Sequence, residues 1–358
     1  MGPEARMARN AGIDLLRVIS VAAVVVGHGW PLMPYEEYLQ IWRMPLFFFL
    51  AGFFLSPVRS FAGEIRTRWH TLGVPYLTWL VLLIALVAVH HYTPKPFEDT
   101  WLTIAGAVFG GGLTDMPFLA FWFISVMFFA VLLVRLLLTL PWWVQLAAAL
   151  GGLALAQVPD SAMSYTSLGL GLAPACAAFI LAGFWFRRLI TPARDAAGVG
   201  RSASPAWRQR LAEAARSPWA GVAGVVLIAA GMAGVAAGAE TMNMKWSGFG
   251  TFLVSPALAL LICVGLVGVF STWADAALKT IPAALSVISE LVKTGTMVVF
   301  FHAYVLFLIW DLVSYQPLRI LIALLVCWSL GLVVNRTRFS PWLTGLPRPR
   351  SVSPRTAG

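Results

Sequence analysis

Long apolar stretches separated by short polar connections run along almost the whole chain. A helix that crosses a bilayer needs about 20 apolar residues, with about 17 to 25 the working range. Ten stretches meet that requirement: 13 to 29, 41 to 58, 72 to 90, 117 to 138, 142 to 158, 169 to 186, 218 to 239, 249 to 271, 295 to 313 and 317 to 335. The pattern therefore predicts an all-α polytopic membrane protein with about ten spans. Between the third and fourth stretches, the segment 101 to 113 carries Gly106 and the run Gly110, Gly111, Gly112, and reads as a re-entrant or interfacial piece.

Composition agrees. Of 358 residues, 59% are hydrophobic and 11% charged, against about 25% charged in an ordinary soluble domain, which excludes a soluble globular fold. The net charge of +10 arises from 25 Lys and Arg against 15 Asp and Glu. With no polar domain to carry a basic face, that excess reads as topology and not as nucleic-acid binding. If the N-terminus is cytoplasmic, 20 of the 25 basic residues fall on cytoplasmic connections or termini, as the positive-inside rule requires. Both termini are then cytoplasmic. Arg43, Lys95, Lys245 and Arg319 fall at the outer boundary, and Arg17 alone lies within a span. Asp14 and Arg17 interrupt the first apolar stretch and no small-x-small site follows it, so it is expected to be retained as a span and not removed as a signal peptide.

One membrane domain is expected over 1–340, followed by a basic cytoplasmic tail over 341–358 that is expected to be disordered. The longest cytoplasmic loop, 187–217, holds Ser204 and Pro205 ahead of Trp207, Leu211 and Ala215, a pattern that fits either a short helix lying on the inner leaflet or a polar loop. Cys176, Cys263 and Cys327 are scattered through apolar runs, which argues against disulfides or a thiolate metal site, and no metal-ligand cluster is evident. There is no internal repeat of the kind many transporters carry.

Ionisable groups inside a span are costly and mark a functional site by default. The first span holds Asp14, Arg17 and His28. Arg17 and His28 are eleven residues apart, roughly 1,100° or about 20° past three turns, so they share a face about 16 Å apart along the axis. Asp14 stands one turn before Arg17, where an ion pair can form. His28 lies between Gly27 and Gly29, which allow another helix or a substrate to approach the imidazole. Histidine is also the side chain best suited to take a proton near neutral pH.

Arg17, ten intervening residues and His28 resemble the Arg-x10-His signature in the first helix of the integral-membrane acyltransferase-3 family. The run from Met44 and Pro45 through Phe47, Phe48, Phe49 and Gly52 to Phe54 is similar to the family's second helix. Arg66, Thr67 and Arg68 leading to Val74, Pro75, Tyr76 and Trp79 are similar to the basic approach to its third, and Phe300, Phe301 and His302 match its ninth. Two positions depart from the pattern: Thr71 stands where a second basic residue is usual, and Phe121 replaces the usual His before Trp122 and Phe123.

The resemblance implies a bacterial inner-membrane enzyme. It would transfer an acyl group, most commonly acetyl from acetyl-CoA, onto a sugar hydroxyl of an envelope or secreted polysaccharide or its lipid-linked oligosaccharide precursor. Acyl-CoA carries phosphates, which Arg66 and Arg68 would bind. His28 would be the general base, or the nucleophile of an acyl-histidine route, with Arg17 and Asp14 in the same catalytic group. Trp122 would stack on the acceptor, and His302 would either line the same cavity or hydrogen-bond a neighbouring helix. The bound partners would be acyl-CoA, the glycan acceptor and membrane lipids. A secondary transporter or lipid-linked-sugar translocase is the alternative, although the chain has few intramembrane acids and no paired broken helices.

Overall fold

A computed structural model describes residues 10–93, 99–191 and 205–347. Fifteen α-helices follow one another: α1 (Ala11–Gly29), α2 (Glu36–Phe53), α3 (Phe61–Arg68), α4 (Val74–His90), α5 (Thr100–Phe109), α6 (Phe121–Leu137), α7 (Trp142–Leu155), α8 (Ala173–Ile190), α9 (Ala206–Ala214), α10 (Trp219–Ala236), α11 (Val254–Val269), α12 (Asp275–Lys279), α13 (Pro282–Ile309), α14 (Gln316–Asn335) and α15 (Ser340–Leu343). A π-helical turn joins α3 to α4, and another joins α11 to α12. Among the described residues there is no strand, only an isolated bridge between Asn243 and Gly248.

Among the described residues, seven helical segments are long and apolar enough to cross a membrane, counting Phe61–His90 and Val254–Lys279 as continuous through their π-helical turns and Ser167–Ile190 through the 3-10 turn before α8, the pattern of a multi-pass membrane protein. The other three predicted spans correspond to α2, α6 and α7. α2 starts earlier than expected and carries Glu36, Glu37 and Arg43, whereas α6 has 17 residues and α7 has 14. Hydropathy counts apolar letters whatever their conformation, and residues 54–58, 117–120 and 156–158 lie in turns beside Pro57, Pro117 and Pro159. The segment 101–113 forms α5 and a short 3-10 turn, bent where Gly110 and Gly111 adopt positive φ.

The start of α1 is held from outside. Asn10 Oδ1 accepts from the Ile13 N–H at 2.9 Å, and Asp275 Oδ1 accepts from the Ala11 N–H at 2.8 Å. Two of the helix's otherwise unpaired donors are thereby satisfied, one by a residue of α12. Replacing Asp275 by Ala should destabilise the fold by about 1–2 kcal/mol, the usual loss of a capping acceptor. Thermal unfolding of the detergent-purified protein would measure it. α2 is seated by direct backbone contact with α8: a Cβ on Gly52 would lie 1.8 Å from the Ile180 carbonyl oxygen, and one on Gly183 1.9 Å from that of Phe49. This close crossing brings Phe47 and Phe48 edge-on to Phe123 of α6.

Residues 341–347, expected to belong to a disordered tail, are instead folded against α4. Trp79 Nε1 donates to the Leu343 carbonyl at 2.9 Å, and Ser340 Oγ donates to the Leu346 carbonyl at 2.9 Å. Leu343 packs on the core, and Thr344 and Gly345 are buried, Gly345 against the Thr71 backbone; residues 348–358 lie outside the described residues. In the long loop, α9 begins directly after Pro205 and packs on α8, with Arg208 donating to the Arg188 carbonyl, while 192–204 lie outside the described residues.

Candidate active site

α1 carries its two marked residues to two different cavities. Near its start, Arg17 lines a cavity of about 240 Å3 with Arg68, Phe47, Leu50, Phe54, Phe123 and residues of α13. Arg17 pairs with the buried Asp14 at 3.6 Å, at the i, i+3 spacing, and its guanidinium lies over the Phe54 ring at 5.6 Å. Asp14 lines neither cavity and meets the site through its pair with Arg17.

At the other end of α1, His28 lines a second cavity of about 220 Å3 together with Gln40, Arg43, Met44, Trp122 and Lys245. Its imidazole meets that of His302, with His28 Nδ1 and His302 Nε2 2.8 Å apart. The ring planes differ by 4° and the centroids are 5.1 Å apart, so the two imidazoles meet edge to edge. On its far side His302 Nδ1 lies 2.8 Å from the Val298 carbonyl oxygen. A carbonyl only accepts, so His302 Nδ1 carries a proton and donates. In neutral His302, Nε2 is then the acceptor and His28 Nδ1 the donor. This chain leaves a lone pair on His28 Nε2, which among the described residues has no hydrogen-bond partner.

His302 is fully buried and does not line the cavity. It is the neighbouring-helix hydrogen bond of the two placements considered from the sequence, and any effect on a substrate passes through His28. Trp122 does line the His28 cavity and is almost buried. The glycines around His28 admit protein groups. A Cβ on Gly27 would lie 1.3 Å from Arg43 Nη1, and one on Gly29 2.7 Å from the Ile320 side chain. The tip of the Arg43 guanidinium therefore occupies the space of the missing Gly27 side chain. Its Nη2 is 3.7 Å from Glu36 Oε1, while among the described residues the buried Nη1 has no hydrogen-bond partner, an arrangement that favours an incoming acceptor.

A second cation comes from the loop between α10 and α11. Lys245 Nζ donates to the Thr114 carbonyl and sits 4.6 Å from the Trp246 ring centroid. Burial pushes the Lys245 ammonium down to about 8, with Asp115 opposing the shift. Between about 8 and the ordinary 10.5 the folded protein binds fewer protons here than the unfolded chain, so stability rises with pH across that window. The melting temperature of wild type relative to Lys245→Met should accordingly increase from pH 8 to 10, and a constant difference would contradict it.

Phe47, Phe123 and Val299 line both cavities. They form an apolar septum between the Arg17 side and the His28 side. The two arginines expected at the basic approach separate: Arg68 lines the Arg17 cavity, whereas Arg66 is exposed on α3. Glu64, fully buried, accepts from Arg68 Nε at 2.7 Å and from Arg59 Nη1 at 3.0 Å, which fixes Arg68 and offsets part of its charge.

Arg43, Lys245, Gln40 and Glu64 escaped the sequence reading. Arg43 and Lys245 were assigned to the outer boundary by charge placement alone. A signal for Arg43 existed in the glycine beside His28, but which residue fills that space depends on how α1 and α2 cross. Glu64 was announced only by arginines on either side of it.

Apolar helices thus enclose an arginine-lined cavity on one side of a septum and a histidine-lined cavity on the other, an ionisable site inside a membrane bundle. The acyltransferase-3 family model, described as an acyltransferase domain, matches residues 10–335, and the chain belongs to that family. No curated relative and no solved structure matches it.

Proposed function

We propose that the protein transfers an acyl group, most commonly acetyl, from acyl-CoA on the Arg17 side to a sugar hydroxyl on the His28 side of an envelope or exported glycan. The carrying observation is the His28, His302 and Val298 hydrogen-bond chain, which leaves the His28 Nε2 lone pair at the wall of a cavity. In this reading α2, α6 and α7 complete a ten-span arrangement with both termini cytoplasmic, in a bacterial inner membrane.

Arg17 and Arg68 would receive the phosphates of the donor, with Arg66 exposed beside them. The thin pantetheine arm suits an apolar passage bounded by Phe47, Phe123 and Val299. In the His28 cavity, Nε2 takes the proton of the acceptor hydroxyl as its oxygen bonds to the thioester carbon. The carbonyl electrons move onto oxygen, where the Arg43 charge stabilises them. Collapse of this intermediate restores the carbonyl and breaks the C–S bond. The proton held on His28 then passes to the departing thiolate, giving CoA and the acyl ester. Trp122 offers the acceptor an aromatic wall.

The test is acyl transfer itself. The purified protein, supplied with radiolabelled acetyl-CoA and the base-treated polysaccharide of its source cell, should incorporate label that mild alkali releases. A transporter or translocase would move the glycan in proteoliposomes and incorporate none.

A further inference from the structure

Beside the His28 cavity lies a larger groove of about 570 Å3, within the ~300–1,000 Å3 range of small-ligand sites. The segment 157–165 forms one wall and the loop 240–250 the other, and Asn243 and Trp246 line both this groove and the His28 cavity. Its chemistry is of the opposite sign. The His28 cavity presents Arg43 and Lys245, whereas the groove presents Asp160 and Glu240. Among the described residues, neither carboxylate makes a hydrogen bond or an ion pair. Aromatic surface accompanies them: the Tyr165 and Trp246 rings stand 6.0 Å apart at 53°, and the Asn243 amide is exposed alongside.

The walls are tied to each other rather than loosely apposed. The Asp160 N–H donates to the Trp246 carbonyl at 2.7 Å, and Ser161 Oγ donates to Ser247 Oγ at 2.9 Å. On the opposite wall, the Glu240 N–H donates to Thr251 Oγ1 at 3.1 Å and Ser255 Oγ to the Glu240 carbonyl. A groove that presents two acceptor-only carboxylates, an amide and two aromatic faces on walls tied together by hydrogen bonds suits a ligand rich in hydroxyl donors with an apolar C–H face, and repels an anion. That describes a pyranose unit without an acidic group.

Building on the acyltransferase reading, we propose that this groove is a second acceptor subsite. It holds a neutral or amino-bearing sugar unit next to the one acylated in the His28 cavity, so that the enzyme selects a chain of at least two units. Uronic acids and phosphorylated sugars are excluded at this position by Asp160 and Glu240. Trp246 is the shared wall between the two units.

The experiment uses the full-length protein in detergent or proteoliposomes. The acceptors are mono-, di- and tetrasaccharides prepared by partial hydrolysis of the base-treated source polysaccharide, with radiolabelled acetyl-CoA as donor. Wild type should show kcat/KM for the tetrasaccharide at least about tenfold above that for the monosaccharide, the scale of one or two charge-assisted hydrogen bonds. In Asp160→Asn and Glu240→Gln that ratio should fall towards one. The same variants should also narrow the preference for a neutral over a carboxylate-bearing neighbouring unit. Equal use of mono- and tetrasaccharide by wild type, or an unchanged ratio in both variants, overturns the subsite while leaving acyl transfer intact. Failure of wild type to acylate any of the acceptors overturns the acyltransferase reading and the subsite with it.

Discussion

Replacing His28 by Ala should lower kcat for acyl transfer by about 10²–10⁴-fold, the range contributed by a positioned general base. The loss follows from the ring's place at the cavity wall and from Nε2 being its only unengaged nitrogen among the described residues. His302 sharpens this prediction because it touches His28 and not the cavity. In His302→Leu the acceptor for His28 Nδ1–H disappears, the imidazole is free to turn or change tautomer, and much of the rate should be lost. In His302→Gln a side-chain carbonyl can again accept from Nδ1–H, so activity should partly return. His302 is a positioning residue in this account. A structural role alone would give two variants that stand or fall with stability, whereas the positioning role predicts a difference in kcat and in the pH profile between variants of similar melting temperature. Wild-type transfer by purified His28→Ala would remove the base assignment altogether.

Arg43→Ala should cost about 10²–10³ in kcat, as expected for loss of a donor that stabilises developing oxyanion charge. Arg43→Lys keeps the charge without the planar fork and should recover only part of that. The more discriminating variant is Gly27→Ala. A Cβ there would fall 1.3 Å from Nη1 and 2.5 Å from Cζ of Arg43, so the guanidinium must leave its place. This substitution replaces a helical glycine by the best helix former and adds one methyl group. It should nevertheless reproduce most of the Arg43→Ala defect in kcat, with the protein still monodisperse on size exclusion. Near-normal transfer by Gly27→Ala would show that the position of Arg43 against α1 has no part in the chemistry.

These two residues also mark where the sequence stopped being informative. The spacing of Arg17 and His28 follows from helix geometry, and the predicted Asp14 and Arg17 pair is present at 3.6 Å. Eleven residues of rise carry the two side chains to opposite sides of the Phe47, Phe123 and Val299 septum, which three other helices supply. Likewise Gly27 signalled that something comes close to α1, but a glycine records only that space is needed.

The chain's membrane class and family were legible without any coordinates, since apolar run length and motif spacing are properties of one segment at a time. His28 and Arg17 stood out as ionisable groups in an apolar span, but that they and Trp122 line cavities is seen only in the fold. Which nitrogen of His28 is left unengaged, which arginine stands beside it, and where the septum lies depend on the crossing of α1, α2, α6 and α13. The same is true of the acidic groove, whose walls lie some eighty residues apart in the chain and meet through backbone and hydroxyl hydrogen bonds. Local periodicity determines which segments enter the membrane; contacts between segments distant in sequence decide what chemistry they surround, because a hydrogen bond or a charge acts over a few ångströms of space and carries no signature along the chain.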